Sequence, residues 1–150
     1  MNFRPHNESA ADLQREDDAR QTLEHEFGHS ITKLSPFLYQ CDWCFHDGAK
    51  VLGFAEFKYR HKKYDFMMLA LPKWLHLQNL MNETLLPVWI VFQFDDGIYW
   101  RKYEWDSLGT PGIQFGGSNR GQPGDKEPIV LLPITEFTKI EAVPMKSFAS

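Results

Sequence analysis

Pro87-Val88-Trp89-Ile90-Val91-Phe92-Gln93-Phe94 is a near-continuous apolar run. A strand with one wet face alternates apolar and polar residues; a run apolar at nearly every position predicts a central strand covered on both faces. Asp95-Asp96-Gly97 then reads as a turn, with Ile98 to Tyr103 pairing back as a further strand. At 150 residues, 43% hydrophobic and 15% aromatic, the chain has ample material for the packed core of one compact domain.

Other elements arrange themselves around that strand. From Ser9 to Gly28 the pattern is an amphipathic helix, with Ser9 as N-cap and Gly28 as stop. Ser35-Pro36 breaks the chain. Two strands follow, near 38–46 and 51–59, joined by the hairpin turn Asp47-Gly48-Ala49-Lys50. A second helix is predicted from Pro72 to Met81, with proline in its first turn. Residues 106–127, rich in Gly, Pro, Ser and Asn, read as a long mobile loop. Ile129-Val130-Leu131-Leu132 is a late strand, and Pro133 marks its end or an edge position. The order is helix, about three strands, helix, two strands, an α/β pattern. Residues 1–8 are expected to form a flexible tail, and 9–150 a single domain.

Within the second strand of the hairpin lies Gly53-Phe54-Ala55-Glu56-Phe57-Lys58-Tyr59-Arg60. Alternate residues of a strand share a face. Glu56 and Lys58 therefore point one way, and Ala55, Phe57 and Tyr59 the other. Opposite charges on a buried sheet face cost several kcal/mol unless compensated. A divalent metal with a bound phosphate is one such compensation.

Two further acids extend the pair. On a helical wheel, Ala19, Leu23, Phe27 and Ile31 fall within roughly 60° of Glu16, if the helix extends that far. That puts Glu16 on the inward face; Glu24, about 80° away, is the fallback. If the hairpin folds about Ala49, Asp42 lies across from Glu56 on the same face, whereas a one-residue slip would turn it away. Glu16, Asp42, Glu56 and Lys58 then form a candidate catalytic cluster suited to Mg²⁺ or Mn²⁺. Asp42 and Glu56 are the expected main ligands, with Glu16 completing the set. Lys58 would position or deprotonate a water, or stabilise developing negative charge. The bland reading of the same residues is a solvated or salt-bridged group of surface charges.

The set resembles the PD-(D/E)XK nuclease superfamily over roughly residues 12–103, with Asp42, Glu56 and Lys58 as the motif residues. The helix carrying Glu16 resembles the first helix of archaeal Holliday-junction resolvases. Cys41 stands where the family usually has proline, a residue that shapes backbone and ligates nothing. The resemblance implies a restriction-endonuclease-like core, with a mixed central sheet flanked by helices in the order α-β-β-β-α-β-β. It implies metal-dependent hydrolysis of DNA or, less often, RNA, in recombination, repair, replication or phage genome processing. Lys73, at the start of the second helix, could add charge near the scissile phosphate. Arg60, His61, Lys62 and Lys63 could contact backbone phosphates, and Trp100, Arg101 and Lys102 could meet unpaired bases. A domain this small suggests a homodimer or a larger protein complex to supply a second half-site.

His25-Glu26-Phe27-Gly28-His29 is a literal H-E-x-x-H, resembling the zinc-metalloprotease signature. The wheel puts both histidines about 180–220° from Glu16, facing water. No histidine follows in Ser30 to Pro36 as a third ligand, and the chain before the motif is too short for an upstream sheet. Cys41 and Cys44 form a lone C-x-x-C, half of a zinc site or a redox pair by spacing; in a strand, two small buried cysteines are the plainer reading.

Net charge is −4, which argues against coating nucleic acid by bulk charge but leaves room for a local basic groove. The polar N-terminus is no secretory signal, no apolar run reaches membrane-spanning length, and a cytoplasmic protein of a prokaryote or phage-infected cell is the simplest expectation. The competing function is a domain of the same fold that binds nucleic acid or protein without cutting.

Overall fold

A computed structural model describes residues 9–34, 41–104, 112–117 and 126–140. The first helix, α1 (Ala10–Phe27), has the expected ends. Ser9 Oγ accepts from Asp12 N at 3.1 Å and Ser9 N donates to Asp12 Oδ2 at 3.2 Å, a reciprocal capping box. Gly28 takes a left-handed φ of 70° and closes the last turn through its N–H to Glu24 O.

The helix therefore stops before Ile31, which lies instead on a short strand, β1 (Ser30–Lys33). Next come β2 (Trp43–His46), β3 (Val51–Tyr59) and β4 (Phe66–Ala70), then α2 (Leu71–Thr84) with proline in its first turn. They are followed by β5 (Val88–Phe94), β6 (Gly97–Lys102), β7 (Gly112–Gly117), β8 (Lys126–Pro133), a 3-10 turn at Ile134–Glu136, and β9 (Thr138–Ile140).

Two sheets form. The larger runs β1-β2-β3-β5-β6-β9 and the smaller β4-β8-β7. Among the described strands only β3 and β5 pair in parallel; the other pairings are antiparallel. The result is a mixed α/β fold with a mostly antiparallel central sheet. Gly53 helps set the parallel pairing: a Cβ there would stand 2.8 Å from Pro87 O, the carbonyl that accepts from Phe54 N at 2.9 Å.

The apolar run at 88–94 is a central strand with a layer on each face. On one side, Val88, Ile90, Phe92 and Phe94 pack with Trp74 and Leu77 of α2 and with Met67, Leu69, Val130 and Leu132 of the small sheet. On the other, Val91 packs with Ala19 and Leu23 of α1 and with Trp43, Ala55 and Phe57. At about 25 cal/mol per Å² of buried apolar area, these two layers are the main source of stability.

One sequence expectation changes. The stretch at 106–127 is not all loop, because it contains β7 and the first two residues of β8, with which β7 pairs; residues 106–111 and 118–125 fall outside the described residues, as do residues 1–8 and Ser35-Pro36. Pro133 does end its strand, but β8 is the middle strand of the small sheet. Strands β1, β4 and β9 carry no clear local signal. Each is three to five residues long and is held by its partners.

Candidate active site

Glu56 is the centre of the site. It is 1% exposed, an extreme position for an acid. The alternation of β3 accounts for its surroundings. Ala55 and Phe57 turn to the α1 face, so Glu56 turns to the face covered by α2. There Lys58 Nζ stands 3.4 Å from Oε1 and Lys73 Nζ, from the first turn of α2, 3.5 Å from Oε2. Oε2 is buried and has no hydrogen-bond partner. Burial, and then the negative charge of Asp42, push the Glu56 carboxyl up to about 7; the two lysines pull against that rise.

Asp42 arrives by the hairpin. The register pairs Trp43 with Ala55 and Cys44 with Phe54 before a bulge near Phe45 and His46. Continued one step, it sets Asp42 opposite Glu56. Asp42 lies just ahead of β2, and its Oδ2 accepts from Phe57 N at 2.8 Å. That bond anchors the carboxylate at the end of the hairpin. Cys41 packs behind it with Sγ 2.9 Å from Ala55 O, and burial raises its thiol pKa well above normal. Cys41 and Cys44 are both buried and free, as strand-packing residues are.

Glu16 is buried at 6%, on the inward face of α1, and that face packs on the opposite side of the sheet from Glu56. Its Oε1 accepts from Trp43 Nε1 at 2.9 Å and its Oε2 pairs with Lys33 Nζ at 2.7 Å. Trp43 in turn stacks on Phe57 at a centroid distance of 4.8 Å. Glu16 thus has one hydrogen-bond partner on each oxygen. Among the described residues no three His, Cys, Asp or Glu side chains converge to hold a metal ion. Glu16 does share a cleft of about 240 Å³ with Asp42, Lys58, Tyr59 and Arg60. Sequence reasoning missed Lys33 and Trp43 as its partners. The alternation along 55–59 carried the signal, because it separates the α1 face from the Glu56 face.

The basic residues divide. Arg60 is exposed at the cleft rim, and its guanidinium donates to Tyr59 O at 2.8 Å. Lys62 is exposed, with Nζ 5.1 Å from the Tyr64 ring centroid. Lys63 is committed to Asp96 at 2.8 Å and Tyr99 Oη at 3.1 Å, which ties its loop to the β5–β6 turn. Arg101 corrects the expectation of a surface contact. It is 5% exposed and paired with Glu136 at 2.9 Å, because its position on β6 turns it into the core. Trp100 packs against Phe27 and Trp89. The H-E-x-x-H does not lie on one helix: Gly28 ends α1 between its histidines, and both are exposed.

Two carboxylates, one with an orphaned buried oxygen, suit a hard cation. Mg²⁺ in particular is often held by one or two carboxylates plus water and substrate phosphate. A search of curated proteins found no match. Among solved structures the chain is similar to Hjc, a Holliday junction resolvase from the archaeal hyperthermophile Archaeoglobus fulgidus. The TM-score is 0.52 at 12% identity, covering 90% of this chain and 95% of that one, a likeness of fold. The family described as "Phage putative PDDEXK endonuclease" matches residues 2–140, nearly the whole chain. The chain therefore belongs to this phage PDDEXK endonuclease family.

Proposed function

We propose that the chain is a divalent-metal-dependent nuclease that hydrolyses DNA phosphodiester bonds, with Asp42 and Glu56 as metal ligands and Lys58 as the catalytic cation. The observation that carries this reading is Glu56. It is a fully buried acid beside a second acid, with a lysine next to one oxygen and no hydrogen bond on the other. Such a group is costly to keep in a fold and suits a site that takes up a cation.

A bound Mg²⁺ or Mn²⁺ would polarise the scissile phosphate and lower the pKa of an attacking water. Asp42, held by Phe57 N, supplies a carboxylate oxygen in fixed orientation. Lys58, about a third exposed at the cleft, can orient the water or face the developing charge. Glu16 lines the same cleft and braces Trp43 and Lys33 through its two oxygens. Arg60 and Lys62 flank the cleft as exposed contacts for backbone phosphates. A homodimer would bring a second half-site to a branched or duplex substrate.

The test is cleavage of supercoiled, linear and branched DNA with Mg²⁺, with Mn²⁺ and with chelator. Metal-dependent cutting that is lost in Glu56→Gln and Lys58→Met supports the reading; equal cutting by either variant sinks it. One observation favours a second reading, a non-cutting nucleic-acid- or protein-binding domain. Glu16 is fully engaged, so the described ligand set stops at two acids. Tight DNA binding with no cleavage across metals and substrates would select it.

A further inference from the structure

Glu56 is bracketed by two lysines from different elements, one at each oxygen: Lys58 of β3 at 3.4 Å and Lys73 of α2 at 3.5 Å. With Glu56 ionised, Asp42 and Glu56 bring two negative charges and Lys58 and Lys73 two positive ones, so the four groups then sum to zero without a metal. The acid pair with Lys58 alone would sum to −1. Lys73 also stands beside the one oxygen that lacks a hydrogen bond. It compensates the charge of that oxygen without saturating it. Its side chain is 26% exposed, so it can withdraw toward solvent.

We propose that Lys73 is a resident counter-cation on Glu56, which keeps divalent-metal loading weak until a phosphodiester anion arrives. This rests on the metal-nuclease reading above. A divalent ion entering a neutral cluster leaves an excess of two positive charges in a buried setting, a costly state. A DNA phosphate removes part of that excess and offers Lys73 a new partner. Metal and DNA then bind with positive coupling, and the coupling is reciprocal. Lys73 is a positioning residue here, acting through Glu56.

The experiment is Mn²⁺ titration of the full chain, with free Mn²⁺ read by electron paramagnetic resonance. It is run alone and with a phosphorothioate-linked DNA duplex whose own Mn²⁺ binding is subtracted. In the wild type, affinity should rise about tenfold or more with the duplex. Lys73→Gln should bind Mn²⁺ about tenfold or more tightly without DNA and lose most of the coupling. Lys73→Arg, which keeps the charge, should behave as the wild type. Equal Mn²⁺ affinity of Lys73→Gln and wild type without DNA overturns the inference. If that binding is still lost in Glu56→Gln, the metal site itself stands. If no protein binds Mn²⁺ with or without DNA, and Glu56→Gln still cleaves, the metal-nuclease reading and this inference fall together.

Discussion

Glu16 and Glu56 are both buried carboxylates, one on each face of the large sheet, and each lies beside a lysine. Glu16 has a donor for each oxygen, Trp43 and Lys33, at normal hydrogen-bond distances. Glu56 has lysines at 3.4 and 3.5 Å and an oxygen with no hydrogen bond. A buried acid whose oxygens are satisfied is part of the scaffold. One left under-satisfied beside another acid costs stability, and the fold retains it all the same. Buried strain of that kind points to a site that meets its ligand from outside.

Four measurements can break or sharpen the contrast. The largest effect is on cleavage: Glu56→Gln or Asp42→Asn should lower the rate by about a thousandfold or more, and Glu16→Gln by about tenfold. Similar losses from Glu16 and Glu56 in a kinetic assay would erase the distinction. Next is pH. The Glu56 pKa is raised from 4.5 to about 7, so the folded state holds a proton that the unfolded state releases. Its contribution is fully present below about pH 4.5 and lost as pH rises through about 7, on the order of 3 kcal/mol in all. Denaturant unfolding in chelator should show metal-free protein weakening across that window, with the Glu56 component absent in Glu56→Gln.

The third effect is of opposite sign for the two acids. At pH 8 in chelator, Glu56→Gln should stabilise the protein, while Glu16→Gln should destabilise it by about 1–2 kcal/mol through loss of the Lys33 pair. Thermal unfolding of both variants reads this directly, and destabilisation by both would remove the argument for a strained Glu56. The smallest is Trp43→Phe, which keeps an aromatic ring against Phe57 but removes the donor to Glu16. A loss of about 1 kcal/mol is expected in the same unfolding assay, with cleavage changed less than in Glu16→Gln.

Much of the frame is legible in the residues. Ser9 and Gly28 bound α1 because capping and left-handed backbone are local requirements. The hairpin register about Ala49 follows from its turn and its alternating faces, and it brings Asp42 level with Glu56. The 88–94 run announces a strand covered on both sides. Harder to read is what each charge meets. Lys63 and Arg101 look alike as basic residues near a cleft, yet one is tied to Asp96 and the other is buried against Glu136. Lys73 reads as a DNA contact and stands beside Glu56.

By itself, then, the sequence determined the two helices, the central strand, the hairpin, and the placing of Glu56 and Lys58 on a face opposite Phe57. These depend on periodicity and capping within a few residues of one another. Tertiary structure alone decided that the α1 face and the Glu56 face are different sides of one sheet, and therefore that Glu16 finds Trp43 and Lys33 while Glu56 finds Lys58 and Lys73. Such pairings join residues up to 27 positions apart. They are selected by which layer packs on which face, and periodicity within one segment carries no information about that choice.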